Sequence, residues 1–190
     1  MAARCRPPRI RGRSPGVKEL RHQASGIRHQ ASEPPSLFAM TTNPADLQEH
    51  VEGSDGIFVI RGSPIARSWN GIQYKIGMSA KNVPARQLSM NVAVVPPGAV
   101  AYAHVHVGFE VMLYILQGRV RHEYGEKLRK SIDNAAGDFI YIEPGVPHEV
   151  FNLSETEPVV AVVARSDADE WAHIVAYDRT TGRFGEAMQG

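Results

Sequence analysis

Apolar and polar residues alternate in short runs along most of this chain, which is typical of β-strands. The clearest run is LSMNVAVV at residues 88–95, which ends at two prolines and Gly98. Because successive side chains on a strand point to opposite faces, such a run buries one face and exposes the other. Comparable runs between glycine and proline turns predict strands at residues 57–62, 71–78, 100–106, 110–117, 119–125, 130–135, 137–143, 148–153 and 158–165.

Two segments have a less clear pattern. Residues 170–177, EWAHIVAY, suit either a helix or a strand, and their aromatic residues and valine favour the strand. Residues 46–51 predict a short helix or a turn. Many short strands with little helix between them predict an all-β sandwich or barrel.

The stretch at residues 98–118 places metal-binding side chains among apolar residues. His104 and His106 are two apart on a predicted strand, so their imidazoles point to the same face. Glu110 follows after Gly108, where a short bend can return the carboxylate to the same point. Burying these groups without partners costs on the order of several kcal/mol, which a bound metal ion offsets.

A fourth candidate ligand lies downstream. His148 follows the turn formed by Pro144 and Gly145. Imidazole nitrogens with one carboxylate suit a divalent ion such as iron, manganese, nickel, cobalt or zinc. We therefore predict a metal site with four ligands: His104, His106, Glu110 and His148.

The first of these segments resembles the first sequence motif of the cupin superfamily. That motif reads Gly, five residues, His-x-His, three or four residues, Glu, six residues, Gly. Gly98, the two histidines and Glu110 fit it. Its closing glycine departs from the pattern, because seven residues rather than six separate Glu110 from Gly118.

The second segment resembles the second cupin motif: Gly, five residues, Pro-x-Gly, two residues, His, three residues, Asn. Gly137, Gly145, His148 and Asn152 match, while the proline is displaced by one residue. The resemblance extends over about residues 56–177. It implies a double-stranded β-helix, the jelly-roll barrel of cupins.

The resemblance implies a metal-binding protein and leaves two hypotheses about its function. Small cupins include dioxygenases, isomerases, lyases and polyketide cyclases, so one hypothesis is a metal-dependent enzyme acting on a small oxygenated organic substrate. The other is a non-catalytic module that binds or senses a small molecule around a structural metal. A metal with open coordination positions favours the enzyme, and a closed four-coordinate zinc site favours the module.

Tyr102 has the same parity on its strand as His104 and His106. Its ring is therefore expected either to line the pocket or to transfer a proton to a substrate. We therefore predict Tyr102 as the candidate catalytic residue.

The extra residue before Gly118 predicts a β-bulge. Strict alternation places one set of side chains on the face of Glu110: Met112, Tyr114 and Leu116. A bulge directly after Glu110 turns the other set inward: Val111, Leu113 and Ile115. The sequence leaves both arrangements open.

Three basic residues follow Gly118. Arg119, Arg121 and His122 suit an anionic substrate if they face inward. Alternation instead favours solvent exposure for at least the alternate positions.

Charge is distributed unevenly along the chain. Residues 1–39 carry eight basic and two acidic residues, a balance of +6, and repeat the motif RHQAS without any apolar period. This composition predicts a disordered extension. We favour an adventitious extension, with Met40 as the true start, over an organelle-targeting peptide or a nucleic-acid-binding arm. The single domain predicted at residues 40–190 carries 13 basic and 18 acidic residues, a balance of −5, which argues against nucleic acid as a partner.

Compartment and assembly are predicted from simpler features. Cys5 is the only cysteine, which excludes an intrachain disulfide and suits a reducing, cytoplasmic compartment. No apolar run approaches the roughly 20 residues that cross a bilayer, so we expect a soluble protein with no membrane partner. Open jelly rolls expose edge strands, and cupins of this size are often dimers, so a homodimer is expected.

Overall fold

The computed structural model describes residues 50–62, 65–169 and 173–187, together with Gln48. The first strands are β1 (Val51–Ser54), β2 (Ile57–Ile60), β3 (Ile65–Trp69), β4 (Ile72–Met78), β5 (Ser89–Val95), β6 (Val100–His106), β7 (Val111–Gln117) and β8 (Arg119–Tyr124). A 3-10 helix (Glu126–Leu128) is followed by β9 (Lys130–Ala135), β10 (Phe139–Ile142), β11 (His148–Asn152), β12 (Val159–Arg165), β13 (Ile174–Asp178) and β14 (Arg183–Ala187).

Two antiparallel sheets of six strands enclose a common core. We call them the β12 sheet, with strand order β10-β7-β12-β5-β4-β3, and the β6 sheet, with order β14-β13-β6-β11-β8-β9. Strands β1 and β2 form a separate hairpin. The core contains Ile72 and Val95 from the first sheet and Ala101, Val120 and Ile174 from the second. The predicted all-β jelly-roll barrel is therefore confirmed.

Each strand predicted between residues 57 and 165 has a counterpart in the structure, and β13 confirms a strand within residues 170–177. Three strands were not predicted: β1, β3 and β14. Strands β3 and β14 lie at the edges of their sheets. Strand β14 is exposed throughout, so it lacks the alternation that marks a half-buried strand. The helix or turn expected at residues 46–51 lies mostly outside the described residues, and Val51 begins β1.

The predicted extension at residues 1–39 lies outside the described residues, so it and the domain boundary at residue 40 stay predictions. Within the described part of the chain, no helix has the length and apolar character needed to cross a membrane.

Strands β5 and β12 are neighbours in the β12 sheet and show which of its residues face inward. In both strands every second side chain is buried. Their antiparallel pairing places Arg165 beside Ser89 and Val163 beside Asn91. The inward side chains at this end of the sheet are therefore largely polar, whereas those at the other end are aliphatic.

A bulge in β6 determines which of its side chains enter the barrel. His104 pairs with His148 on β11, and Ala101 pairs with Val150, so three steps along β6 match two along β11. The extra residue reverses the alternation. As a result, Ala101 and His104 both line the interior, and Tyr102 is exposed.

A second bulge lies at the far end of β7. Val160 of β12 pairs with Gln117 and Ala161 pairs with Ile115, so the extra residue falls just before Gly118. Gly118 has φ 87°, in the left-handed region that favours glycine. Of the two arrangements left open by the sequence, the structure has the second set facing inward: Val111, Leu113 and Ile115.

Asn152, the last residue of the second motif, has a structural role. Its buried amide nitrogen donates hydrogen bonds to the carbonyl groups of Val95, Pro96 and Glu157, at 3.1, 2.9 and 2.8 Å. Its side-chain oxygen accepts one from the Ser154 backbone N–H at 2.9 Å. The residue thereby ties the end of β11 to the end of β5.

Candidate metal centre

Three buried histidines from neighbouring strands converge inside the barrel. His104 and His106 lie on β6, and His148 lies opposite His104 on β11. Each offers a ring nitrogen, and these three atoms lie within 4.8 Å of one another. The ring centroids of His104 and His148 are 4.3 Å apart, and those of the other two pairs are 5.0 Å apart. The structure thus brings together three of the four predicted ligands.

Hydrogen bonds orient two of these rings. Nδ1 of His104 lies 2.7 Å from the Tyr102 carbonyl oxygen, and Nδ1 of His148 lies 2.9 Å from that of Val146. A carbonyl oxygen only accepts, so both Nδ1 atoms donate, and each Nε2 keeps a lone pair for a metal. Nδ1 of His106 is also buried, and it has no hydrogen-bond partner in the described part of the chain.

The electrostatics of the cluster favour neutral imidazoles. Burial lowers the pKa of His104, His106 and His148, and for the first two a neighbouring histidine lowers it further. Neutral imidazole is the form that binds a metal ion.

Glu110 does not join the histidines. Its side chain is exposed, and Oε1 accepts a hydrogen bond of 2.9 Å from the Tyr141 hydroxyl, which raises the pKa of that phenol. The backbone of Glu110 pairs with Ser166 and extends the ladder between β7 and β12. This pairing leaves Glu110 on the outer face and turns Val111 inward, so the structure does not support the predicted ligand role of Glu110.

The spacing to Gly118 explains this departure from the motif. Six residues separate Val111 from Gly118, so Val111 occupies the place where the cupin pattern expects its glutamate. Val111 is fully buried. The cluster found among the described residues therefore consists of three imidazoles without a carboxylate. This nitrogen donor set fits divalent iron, manganese, nickel, cobalt or zinc.

Tyr102 does not line the cavity. The bulge in β6 turns its side chain outward, where it is 48% exposed and packs near Gly71. Its backbone carbonyl, by contrast, accepts hydrogen bonds from His104 and from the Asn70 side chain. The structure does not support the predicted role of the phenol as pocket wall or proton donor.

A fourth histidine, His122 on β8, is buried at the edge of the cluster. Its Nδ1 lies 3.1 Å from Oδ1 of Asn134, and burial, with a smaller effect of His148, lowers its pKa to about 4. Arg119 and Arg121 alternate with it and are exposed, as strict alternation requires.

The histidines line a cavity of about 70 Å³ in the barrel. Its wall is mostly aliphatic, and its polar lining consists mainly of His104, His106, His122, His148 and Arg165. Arg165 was not among the predicted site residues. Its signal in the sequence is a single charged residue at the end of an otherwise apolar run, PVVAVVAR at residues 158–165.

A larger groove of about 530 Å³ adjoins the cavity. Four residues line both spaces: His122, Ile140, Ile142 and His148. The groove also contacts exposed residues such as Phe139 and Tyr141. It therefore offers a route from solvent towards the histidines.

Comparisons with known proteins agree with this fold. Residues 91–165, which hold all three clustered histidines and Arg165, match a family model described as a cupin domain. No curated protein sequence matches the chain.

Among solved structures, Lactobacillus farciminis oxalate decarboxylase in a formate complex aligns with a TM-score of 0.51 and 18% identity, over 58% of this chain and 32% of that one. Bacillus subtilis oxalate decarboxylase, studied for its Mn(II) centres, aligns with a TM-score of 0.50 and 20% identity, over 57% of this chain and 29% of that one. These likenesses concern the fold alone, and the chain spans about a third of the length of those proteins. Residues 91–165, which hold the three histidines, are thus similar to a cupin domain, and the barrel shares its fold with the solved cupin structures.

Proposed function

We propose that this protein is a metal-dependent enzyme acting on a small oxygenated organic molecule. The observation that carries the proposal is the convergence of three buried, neutral imidazoles on one point. His104, His106 and His148 would hold the ion, and the carbonyl groups of Tyr102 and Val146 would orient two of the rings. Such carbonyl contacts are the usual second layer around metal-binding histidines.

The number of ligands favours catalysis over a structural metal. A structural zinc site is normally closed by four protein ligands, whereas a catalytic metal keeps coordination positions open. Glu110 lies on the outer surface, so three histidines leave at least one position for water or substrate. A metal held there would polarise a substrate oxygen or, if it were iron, support chemistry with dioxygen.

The cavity limits the substrate to a small molecule. A space of about 70 Å³ admits only a few non-hydrogen atoms, and its lining is mainly aliphatic. Any larger part of a substrate would extend into the adjoining groove. A substrate that offers two oxygens, such as a hydroxy ketone, a diketone or a catechol, would chelate a metal with open positions, and the dioxygenase, isomerase, lyase and cyclase types all stay open.

The test is elemental analysis of protein purified without chelators, alongside the variants His104→Ala and His148→Ala. We expect about one divalent ion per chain in the unaltered protein, and a loss of metal affinity of more than about 100-fold in either variant. His173→Ala is the matched control, because His173 is exposed and bonded to Asp167. Full metal retention in both cluster variants would refute the ligand assignment.

Turnover separates the enzyme from a binding module. We expect metal-loaded protein to convert at least one member of a panel of diketones, catechols and hydroxy ketones, with oxygen uptake reporting the dioxygenase class. A metal site that has no exchangeable water, together with no turnover, would favour the non-catalytic alternative.

We also propose a homodimer in a reducing, cytoplasmic compartment. The outer face of the β12 sheet exposes several large apolar side chains: Met90, Met112, Leu116, Phe139 and Tyr141. Monomeric proteins rarely expose an apolar patch of this kind, so a second copy of the chain is its expected cover. Sedimentation equilibrium of the full chain tests the dimer.

A further inference from the structure

His122 is a fourth buried histidine, and the proposed metal site does not use it. It lies on β8, is 5% exposed, and is outside the cluster of three histidines that could hold one ion. It lines both the cavity and the adjoining groove. A molecule that passes from the groove towards the clustered histidines therefore passes this imidazole.

Asn134 determines which ring nitrogen of His122 carries the proton. Its Oδ1 lies 3.1 Å from Nδ1 of His122, and an amide oxygen only accepts, so Nδ1 is the donor. The ring is neutral, because its partner is an amide and an uncompensated buried charge is costly. Nε2 consequently keeps a lone pair, and it makes no hydrogen bond to the described part of the chain.

The adjoining groove offers an apolar surface to the body of a substrate. It is lined by residues of β9 and β10, which are the edge strands of the two sheets. Ile132 of β9 and two isoleucines of β10, Ile140 and Ile142, contribute to this lining, together with Val146. The groove has a volume of about 530 Å³ and the cavity one of about 70 Å³. The bulk of a substrate would therefore lie in the groove, next to His122.

The lone pair of Nε2 selects among the oxygen groups that a substrate can present. A hydroxyl group donates a hydrogen bond to an imidazole nitrogen, whereas an ether, a ketone or a carboxylate has no proton to donate. An occupant of the second kind would leave the buried acceptor of His122 unsatisfied, which disfavours its binding. His122 thus favours a hydroxyl compound.

We propose that His122 accepts a hydrogen bond from a hydroxyl group of the substrate, and that the groove holds the apolar body of the same molecule. This inference rests on the proposed function, and it narrows the substrate from oxygenated molecules to hydroxyl compounds such as catechols and hydroxy ketones. Compounds that carry only carbonyl or ether oxygens bind more weakly. Asn134 is a positioning residue, since it acts through the tautomer of His122.

The test titrates the full chain, freed of metal and isotope-labelled at its histidines, with phenol and with toluene. The two probes share a ring and nearly the same size, and only phenol has a hydroxyl donor. We expect the NMR signal of Nε2 of His122 to shift with phenol and to stay in place with toluene. The ratio of phenol affinity to toluene affinity should fall at least about fivefold in His122→Phe, as the loss of one hydrogen bond allows. His173→Phe is the matched control, because His173 is exposed and is not among the lining residues of either space.

Asn134→Leu tests the positioning role. Without the amide oxygen, the NMR spectrum of His122 should show both tautomers, and the ratio of phenol affinity to toluene affinity should fall at least about twofold. A folded Asn134→Leu variant whose proton stays on Nδ1 alone would refute the role of Asn134.

Three results would overturn the proposal: an Nε2 signal that phenol leaves in place in the unaltered protein, an undiminished affinity ratio in folded His122→Phe, or loss of metal binding in that variant, which would make His122 a metal ligand. The first result needs no variant, so it decides the matter even if His122→Phe fails to fold.

Metal content is measured on the same preparations. A preference for phenol through His122 in a protein that takes up no metal would refute the proposed function and leave the hydroxyl site intact. Metal uptake without that preference would do the reverse.

Discussion

The two sheets of the barrel contribute different chemistry to the same cavity. The β6 sheet supplies the four buried imidazoles of His104, His106, His122 and His148, which are neutral because burial lowers their pKa. The β12 sheet supplies Arg165, a permanent cation that Asn91 holds in place. Three of these imidazoles are close enough to bind one metal ion, and the buried cation lies in the lining of the same cavity.

The two sheets also direct these side chains into the cavity by different backbone geometry. In β12 every second residue is buried without interruption, so Arg165 faces inward by alternation alone. In β6 a bulge beside Tyr102 is needed before His104 can share the interior with Ala101. Once the inward face of a regular strand is known, alternation assigns all its residues, whereas a bulge changes the assignment of every residue beyond it.

Acidic pH should lower the free energy of unfolding through the buried histidines of the β6 sheet, whereas Arg165 of the β12 sheet stays protonated. In the metal-free protein each buried histidine has a folded-state pKa below its unfolded value near 6.5. The unfolded chain therefore binds protons first as the pH falls, and the free energy of unfolding declines below about pH 6.5. For His122, whose folded-state pKa is about 4, the loss is about 3 kcal/mol by the time the pH reaches that value.

Urea denaturation at a series of pH values measures this effect. His122→Gln should reduce the slope of the free energy of unfolding against pH between pH 6 and 4.5, by an amount that corresponds to at most one bound proton. His173→Gln, at an exposed position, should leave that slope unchanged. A free energy of unfolding that stays constant over this range would contradict the neutral, buried state of the histidines.

Most of the fold and three of the four predicted ligand positions could be predicted from the sequence, and the remaining differences arise from local backbone geometry. Alternating runs and turn residues predict the barrel strands, because a half-buried strand must alternate. The inward direction of His104 and His106 follows from the same rule. The side chains of Tyr102 and Glu110 are exposed in the structure, because one lies at a bulge and the other outside the motif position that Gly118 defines. Which of two adjacent residues a bulge turns inward depends on pairing with distant strands, and this pairing is not visible in a local pattern.

Removing the carboxylate of Glu110 should have the smallest effect. Its partner is the Tyr141 hydroxyl on the outer surface, and exposed hydrogen bonds of this kind contribute little to stability. We expect Glu110→Gln to change metal affinity by less than about twofold, because neither the histidines nor the cavity wall loses a contact. Competition with a chromogenic chelator gives the affinity, and Tyr141→Phe is the control that breaks the same hydrogen bond from its other side. A large loss of metal in Glu110→Gln alone would mean that the carboxylate turns inward when the ion binds. The site would then hold a fourth, anionic ligand, and fewer coordination positions would be left for a substrate.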